Sequence, residues 1–444
     1  MRSGFYLPLW FSARALWGLA AVAVVLACSP GVAIFAPLGV ALGVLLAVAT
    51  LVDGLLLATT RSLHVTRELP THFSLRRTAE LRYTIENRST RALRVGVVDA
   101  PLRTLDLGED EVIALVPAGS VATVAATALP VARGSDAFSR MYVWCETGLG
   151  LIRRRTVIDA PEAIRVYPDL SAVERYGSLQ VRNRLIEAGL RRIRLRGAGT
   201  EFESVRDYAS GDAFRSIDWK ATARRGKLMV VQREVERSQD VMLLLDCGRL
   251  MTARIGEQRK LDYAVTAGLS LASIASLASD RVGVVAFAEK ILVARAPRST
   301  AESVRALADA LCDVEPRFEE SDYARAFTYV RSHLHRRSLI AFFTDVIDPV
   351  AQSAVLAELG SLAKRNVVLC IFMNDAAVSE TLARVPQSVD DAYRIDVALG
   401  LSLERAVAAR TLQRAGLVVI DVPAAKLSVA AIDEYLRIKS RGLL

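Results

Sequence analysis

Val241-Met242-Leu243-Leu244-Leu245-Asp246 is an apolar run closed by a carboxylate. A strand with one wet face would alternate. An unbroken run of this length fits a parallel strand covered on both faces, which delivers its charge to the carboxyl end. The residues that follow repeat the theme. From Lys260 to Ser279, Leu261, Val265 and Leu269 recur at helical spacing and most other positions are small, which predicts a largely buried helix. Further strands are expected at Val282 to Phe287, Ile291 to Arg295, Leu339 to Phe343, Asn366 to Phe372 and Leu417 to Ile420. Helices are expected near 301–312, 323–336, 351–364, 401–415 and 428–439. This alternation predicts an α/β domain over 239–444 with a doubly wound sheet and right-handed crossovers. Such sheets bind ligands beyond the strand carboxyl ends, at the topological switch point. If the strands ending at Leu245 and Phe343 are neighbours, Asp246 and Thr344-Asp345 share one crevice.

Upstream, residues 166–238 form a basic connector. Between Arg182 and Arg237 there are 14 Lys or Arg against 8 Asp or Glu, so most of the chain's net charge of +9 falls here. Arg191, Arg192, Arg194 and Arg196 surround apolar residues and read first as a solvated face, then as a contact for anionic lipid headgroups. Phe202, Tyr208, Phe214 and Trp219 interleave with basic residues as in a stacking groove. Glu201, Glu203, Asp207, Asp212 and Asp218 would oppose a phosphate backbone, so no nucleic acid is expected as a partner.

Residues 62–165 alternate in period two: Leu81, Tyr83 and Ile85, then Leu93, Val95 and Val97, then Met141, Val143 and Cys145. With turn signals between them, some seven short strands predict an immunoglobulin-like sandwich. Residues 1–61 are read as a two-helix transmembrane hairpin. No charge occurs from Ala15 to Val52, about 57 Å of helix and nearly twice a bilayer core, and Ser29-Pro30-Gly31 breaks the run. Arg2 and Arg14 precede the hairpin and Arg61, Arg67, Arg76 and Arg77 follow it, which places both ends and the globular part in the cytoplasm. Trp10 and Trp17 fit an interfacial belt. Asp53 is expected to reach the headgroups. A hydrophobic content of 52% agrees with a membrane portion.

Catalytic signatures are missing. No Gly-x-Ser-x-Gly, His-Glu-x-x-His or Walker A sequence occurs, and Gly226-Lys227 lacks P-loop spacing. His333 and His335 point from different helix faces, and His64 and His72 read as surface residues. The five cysteines are widely spaced inside apolar runs and read as buried free thiols.

One resemblance is specific. Glu201-Phe202, Arg206-Asp207-Tyr208, Gly211-Asp212, Arg215, the run from Ile217 through Asp218, Trp219, Lys220, Arg224, Arg225, Gly226 and Lys227 to Leu228, then Asp246 and Gly248-Arg249, resemble the bacterial family called domain of unknown function fifty-eight. The resemblance implies a membrane-anchored protein with a von Willebrand factor A-like domain. It also implies partnership with a MoxR-type AAA ATPase in maturing a client protein or envelope complex, and no established enzyme activity. In that fold a metal-ion-dependent adhesion site holds Mg²⁺ by Asp-x-Ser-x-Ser, a Thr and a second Asp. Here the motif reads Asp246-Cys247-Gly248-Arg249-Leu250, and Ser321 stands for the Thr. Asp246, Ser321, Thr344 and Asp345 are therefore candidates for a degenerate metal site: either it still binds Mg²⁺, or it is a metal-free crevice that docks a partner, with Arg249 placed to neutralise Asp246. The expected function is a non-enzymatic adaptor. The alternative is a divalent-metal-dependent hydrolase or phosphate-binding protein using the crevice carboxylates.

Overall fold

The computed structural model describes residues 9–28, 34–58, 63–108, 111–169, 201–209, 214, 217–234, 238–298, 301–345 and 353–443. They fall into two compact units, Met1–Tyr167 and Pro168–Leu444.

In the first unit, β1 (Leu9–Phe11) leads into α1 (Ala13–Ala27) and α2 (Phe35–Ala58). Residues Phe35–Leu57 are long and apolar enough to cross a membrane. α1 is apolar too, but at 15 residues it is shorter than the ~20 a bilayer core requires. The expected pair of spans is thus met by one helix. Cys28, at the end of α1, is exposed and not buried as expected; the other four cysteines are buried.

Nine strands follow: β2 (Leu63–Glu68), β3 (Phe73–Ser74), β4 (Ala79–Asn87), β5 (Leu93–Asp99), β6 (Leu105–Asp106), β7 (Val112–Val116), β8 (Ser120–Pro130), β9 (Gly134–Glu146) and β10 (Ile152–Tyr167). They form two sheets, β1-β10-β9-β5-β7 with β3 beside β10, and β2-β4-β8-β6. The alternating residues do what their period requires. Leu81, Tyr83 and Ile85 of one sheet and Val95, Val97 and Val143 of the other are buried in one core. His64 and His72 are exposed.

Asp53 departs from expectation. It is buried, its Oδ2 accepting the amides of Leu151 (2.8 Å) and Ile152 (2.9 Å) and its Oδ1 the Thr147 hydroxyl. Ser12 caps α1 and donates its hydroxyl to Gly150 O at 2.5 Å, while its amide bonds Leu151 O at 2.8 Å. The β9–β10 turn is therefore held between the start of α1 and α2. A buried carboxylate needs such donors. They lie 94–99 residues downstream in sequence, where local pattern cannot find them.

In the second unit, β11 (Glu201–Asp207) pairs antiparallel with β12 (Met229–Glu234), and α3 (Trp219–Arg225) lies between them in sequence. The main sheet comprises β13 (Asp240–Asp246), β16 (Arg281–Phe287), β17 (Ile291–Arg298), β18 (Ser338–Phe343), β19 (Val367–Asn374) and β20 (Val418–Pro423), in the order β17-β16-β13-β18-β19-β20 with only β17 antiparallel. A small ribbon, β14 (Arg254–Ile255) and β15 (Gln258–Arg259), leads into α4 (Lys260–Leu277). The other helices are α5 (Ala301–Cys312), α6 (Tyr323–His333), α7 (Ser353–Ala363), α8 (Ala376–Ala383), α9 (Val389–Arg414) and α10 (Leu427–Ser440). Met242 and Leu244 of β13 share a core with α6, α7 and α9, whereas Leu243 and Leu245 face α4. With helices on both faces, the continuous apolar run at 241–245 is explained.

The expected strands and helices of this unit are present. α8 was not expected, and α9 begins 12 residues before the expected start at 401.

Candidate functional site

β13 and β18 are parallel neighbours with Leu245 opposite Phe343, so Asp246 and Thr344-Asp345 emerge at the same end of the sheet. β16 lies on the other side of β13, which makes this end the point where successive crossovers diverge.

Asp246 is almost fully buried and, among the described residues, is held by neutral donors. Its Oδ1 accepts the Gly248 amide (2.8 Å) and the Ser321 hydroxyl (2.5 Å). Its Oδ2 accepts Tyr323 Oη (2.9 Å) and Thr344 Oγ1 (2.7 Å). Ser321 and Tyr323 flank Asp322, which caps α6 by accepting Arg325 N at 2.9 Å, and this cap aims both hydroxyls at β13. Burial, and then the adjacent Asp246 charge, push the Tyr323 phenol far above its ordinary range, so it remains a donor.

Asp345 is also buried, but cations hold it. Lys260 Nζ approaches Oδ2 at 2.5 Å and Arg405 Nη1 approaches Oδ1 at 2.5 Å. Lys260 is the first residue of α4, set in place where its amide bonds Ala253 O at 2.8 Å beside the β14–β15 ribbon. Arg405 reaches across from α9 and also donates to Asp421 (2.9 Å) and Met373 O (2.9 Å). Burial works against the Arg405 charge, but Asp421 and Asp345 outweigh it and raise its pKa.

This donor set does not fit a divalent cation. Mg²⁺ requires several oxygen ligands in octahedral geometry. Both oxygens of Asp345 are engaged by cations, so an ion there would have to displace the Lys260 ammonium. Position 248 offers no hydroxyl, and a Cβ built on Gly248 would overlap the Ser321 hydroxyl. Ser321 has taken the space that a serine side chain at 248 would need. Among the described residues no group of three or more His, Cys, Asp or Glu is arranged to hold a metal. Arg249 does not neutralise Asp246, contrary to expectation. It is exposed and pairs with Glu320 at 2.8 Å.

The structure thus brings Asp246, Ser321 and Thr344 together around one carboxylate and sets Asp345 in an ion-pair cluster beside them. Sequence reasoning missed Tyr323, Lys260, Arg405 and Asp421. Lys260 carried a signal: the first turn of the helix after such a strand lies at the strand's carboxyl end.

The other signature residues form a capped turn. Asp218 caps α3 by accepting the amides of Lys220 and Ala221, both at 3.0 Å, and Gly226 ends it in the left-handed conformation (φ 67°). Thr222 Oγ1 accepts Met229 N at 3.0 Å, and Tyr208 N bonds Leu228 O at 2.9 Å. Lys220, Arg224, Arg225 and Lys227 are exposed, as is Trp219, whose ring meets Phe214 edge-on. Asp207 ends β11 at the surface, and Glu201 begins that strand. Gly211, Asp212, Arg215 and the expected lipid contacts Arg191, Arg192, Arg194 and Arg196 lie outside the described residues.

Comparison with known proteins bears on this unit. Residues 204–389 match the family described as "Protein of unknown function DUF58". Rv1480, an uncharacterized protein of Mycobacterium tuberculosis (strain ATCC 25618 / H37Rv), is 25% identical over 266 residues, which is 56% of this chain and 82% of that protein. YeaD, an uncharacterized protein of Bacillus subtilis (strain 168), is 34% identical over 123 residues, 26% of this chain and 29% of that one. Among solved structures, the conserved hypothetical protein BatB from Bacteroides thetaiotaomicron covers 46% of this chain and 100% of its own, with 13% identity and a TM-score of 0.31. The matched segment contains α3 and both crevice carboxylates but stops short of Arg405 and Asp421. Residues 204–389 are, in short, similar to the DUF58 family.

Proposed function

We propose that the chain is a membrane-anchored, non-enzymatic adaptor whose α/β domain, of von Willebrand factor A-like type, docks a partner at the Asp246–Asp345 crevice without a metal ion. The observation that carries this reading is the state of the two carboxylates. One is saturated by neutral donors and the other by Lys260 and Arg405. A hydrolase would need a carboxylate oxygen open to metal or water. A docking crevice needs only a fixed array of charges and hydroxyls. The partner is proposed to be a MoxR-type AAA ATPase acting on a client protein or envelope complex. The immunoglobulin-like sandwich would connect the crevice domain to α1 and α2, both proposed as spans that keep the globular units in the cytoplasm.

The competing reading, a divalent-metal-dependent hydrolase or phosphate-binding protein, has one observation in its favour. The Ser321 and Thr344 hydroxyls converge on Asp246, as ligands to one ion would. Capture from native membranes separates the two, in Mg²⁺ and in EDTA with the nucleotide of any captured ATPase held constant. The adaptor reading expects an AAA ATPase on wild type in both conditions and its loss with Asp246→Asn. It fails if wild type captures none. Metal-dependent hydrolysis by wild type that Asp246→Asn abolishes would establish the alternative.

A further inference from the structure

α1 and α2 leave a groove between them, with a volume of about 620 Å³. Small residues open it, Ala15 on α1 and Gly43, Ala47 and Gly54 on α2, and Leu51 stands at its rim, 63% exposed. On α2 the lining recurs at 43, 46, 47, 50, 51 and 54, a single helical stripe, so the groove runs along the helix. From Gly43 to Leu55 it covers about 18 Å. That is close to the depth of one leaflet, half of a hydrocarbon core ~30 Å thick. Among the described residues Thr50 is its one polar lining side chain, and that hydroxyl is donated to Leu46 O at 2.7 Å. A polar ligand would lose its hydrogen bonds to water and gain none along this length.

The end beside the sandwich is different. Leu9 and Phe11 of β1 line it with Ile152 of β10. In the ladder Phe11 stands opposite Ile152, and Leu9 opposite Arg154. Residues directly opposite in an antiparallel pair share a face, so Arg154 lies on the groove side of this ribbon. A guanidinium carries five N–H donors, enough to serve the fold and a phosphate together. Arg14, exposed in the first turn of α1, and Arg155, 4.7 Å from the centre of the Trp10 ring, add positive charge around the same end. Two carboxylates of this end are already engaged, Asp53 by the β9–β10 turn and Glu146 by Arg94 and Arg153. A groove that is apolar for the depth of one leaflet and cationic at its head complements an anionic amphiphile. A partner's apolar helix would match the stripe but have no counterpart for the arginines.

We propose that the groove holds one acyl chain of an anionic phospholipid, with the phosphate bound by Arg154. The inference rests on α2 crossing a bilayer, as proposed above, and is independent of what the crevice binds. Trp10 beside Arg155 suits the headgroup depth that this requires.

The test uses the whole chain in vesicles of phosphatidylcholine and phosphatidylglycerol, with bromine on the acyl chains of one lipid at a time. In a Trp10→Phe/Trp17→Phe background, Leu51→Trp reports from the groove rim. In a Trp10→Phe chain Trp17, two residues from Ala15 and so on the opposite side of α1, reports from outside the groove. The reporter at position 51 should reach half-quenching at an about fivefold lower fraction of brominated phosphatidylglycerol than of brominated phosphatidylcholine, the preference one arginine gives for anionic lipid. Trp17 should not distinguish the two. Arg154→Gln should remove the preference, and Ala47→Phe should remove it by filling the groove. Both variants should still be quenched by brominated phosphatidylcholine, which shows that they remain inserted. Equal quenching at position 51 by the two lipids overturns the proposal while α2 remains a span, as does a preference that Arg154→Gln leaves intact. So does an absence of quenching there while Trp17 is quenched, which would mean that protein covers the groove. A chain that carbonate strips from the vesicles removes the membrane anchor itself, and this inference with it.

Discussion

Asp246 and Asp345 end adjacent parallel strands, are equally buried and look alike in sequence, yet the fold treats them oppositely. Asp246 meets three hydroxyls and one amide, and among the described residues no cation contacts it directly. Asp345 meets Lys260 and Arg405, and with Asp421 the cluster balances two negative charges against two positive. A carboxylate held by neutral donors remains an electrostatic handle for a partner's cation. One held by cations is structural mortar between α4, α9 and the sheet.

The contrast is broken or sharpened first at Asp345. Replacing it with Asn leaves Lys260 without its partner and removes one of the carboxylates that hold Arg405, in a site where their side chains are only 14% and 16% exposed. Breaking one member of a buried pair costs ~3–5 kcal/mol. The expected outcome is loss of that much hydrogen-exchange protection in β13 and β18. Adding Lys260→Met should restore part of it, because the stranded ammonium is then gone. If the double variant is as exposed as the sum of the singles, the two groups are not coupled and the mortar picture fails.

Asp246→Asn should cost less, about 1–3 kcal/mol by the same measurement, since hydroxyl donors can rotate to accept from the new amide. A loss larger than that of Asp345→Asn would invert the comparison.

How far the sequence foretells this site depends on the kind of contact. Apolar runs and helical periodicity are local, so the strand at 241–245 and the helix from 260 were readable, and with them the shared crevice. The identity of the donors is not local. Arg405 lies 60 residues from Asp345, and Asp53 lies 94–99 residues before its partners. Arg249 is three residues from Asp246 in sequence, yet the fold turns it outward to Glu320. α9 is hard to read for another reason. Exposed apolar residues such as Val389, Tyr393, Leu403 and Val407 stand among exposed charges such as Asp396 and Glu404, so no single stripe announces it. Ser388, whose hydroxyl accepts Asp391 N at 3.1 Å, marks its true start.

Tyr323 gives a smaller and pH-dependent test. Tyr323→Phe removes one of four donors to Asp246 and should cost about 1 kcal/mol. In the folded chain the phenol is raised well above its ordinary value of 10, so the native state keeps a proton that the unfolded chain loses above that pH. Its contribution is complete below pH 10 and declines as pH rises further. Tyr83 and Tyr435, also buried against carboxylates, are shifted the same way. Alkaline difference spectra should therefore show at least three of the 11 tyrosines, Tyr83, Tyr323 and Tyr435, ionising only with unfolding. If Tyr323→Phe leaves that number unchanged, Tyr323 is not a locked donor.

The smallest effect belongs to Arg249, and it is informative because it should be small. Its partner Glu320 is 80% exposed and Arg249 itself 60%, so water screens the pair and the side chains lose entropy in forming it. Exposed pairs contribute between ~0 and 1 kcal/mol. Arg249→Ala should therefore leave exchange in β13 unchanged, with any residual effect vanishing in high salt as the Debye length shrinks. Were Arg249 the counter-ion of Asp246, its removal would strand a buried carboxylate and approach the cost of Asp345→Asn. A near-zero result thus bears on Asp246 more than on Arg249: it means that neutral donors alone keep that charge in place, which is what sets this half of the crevice apart from the other.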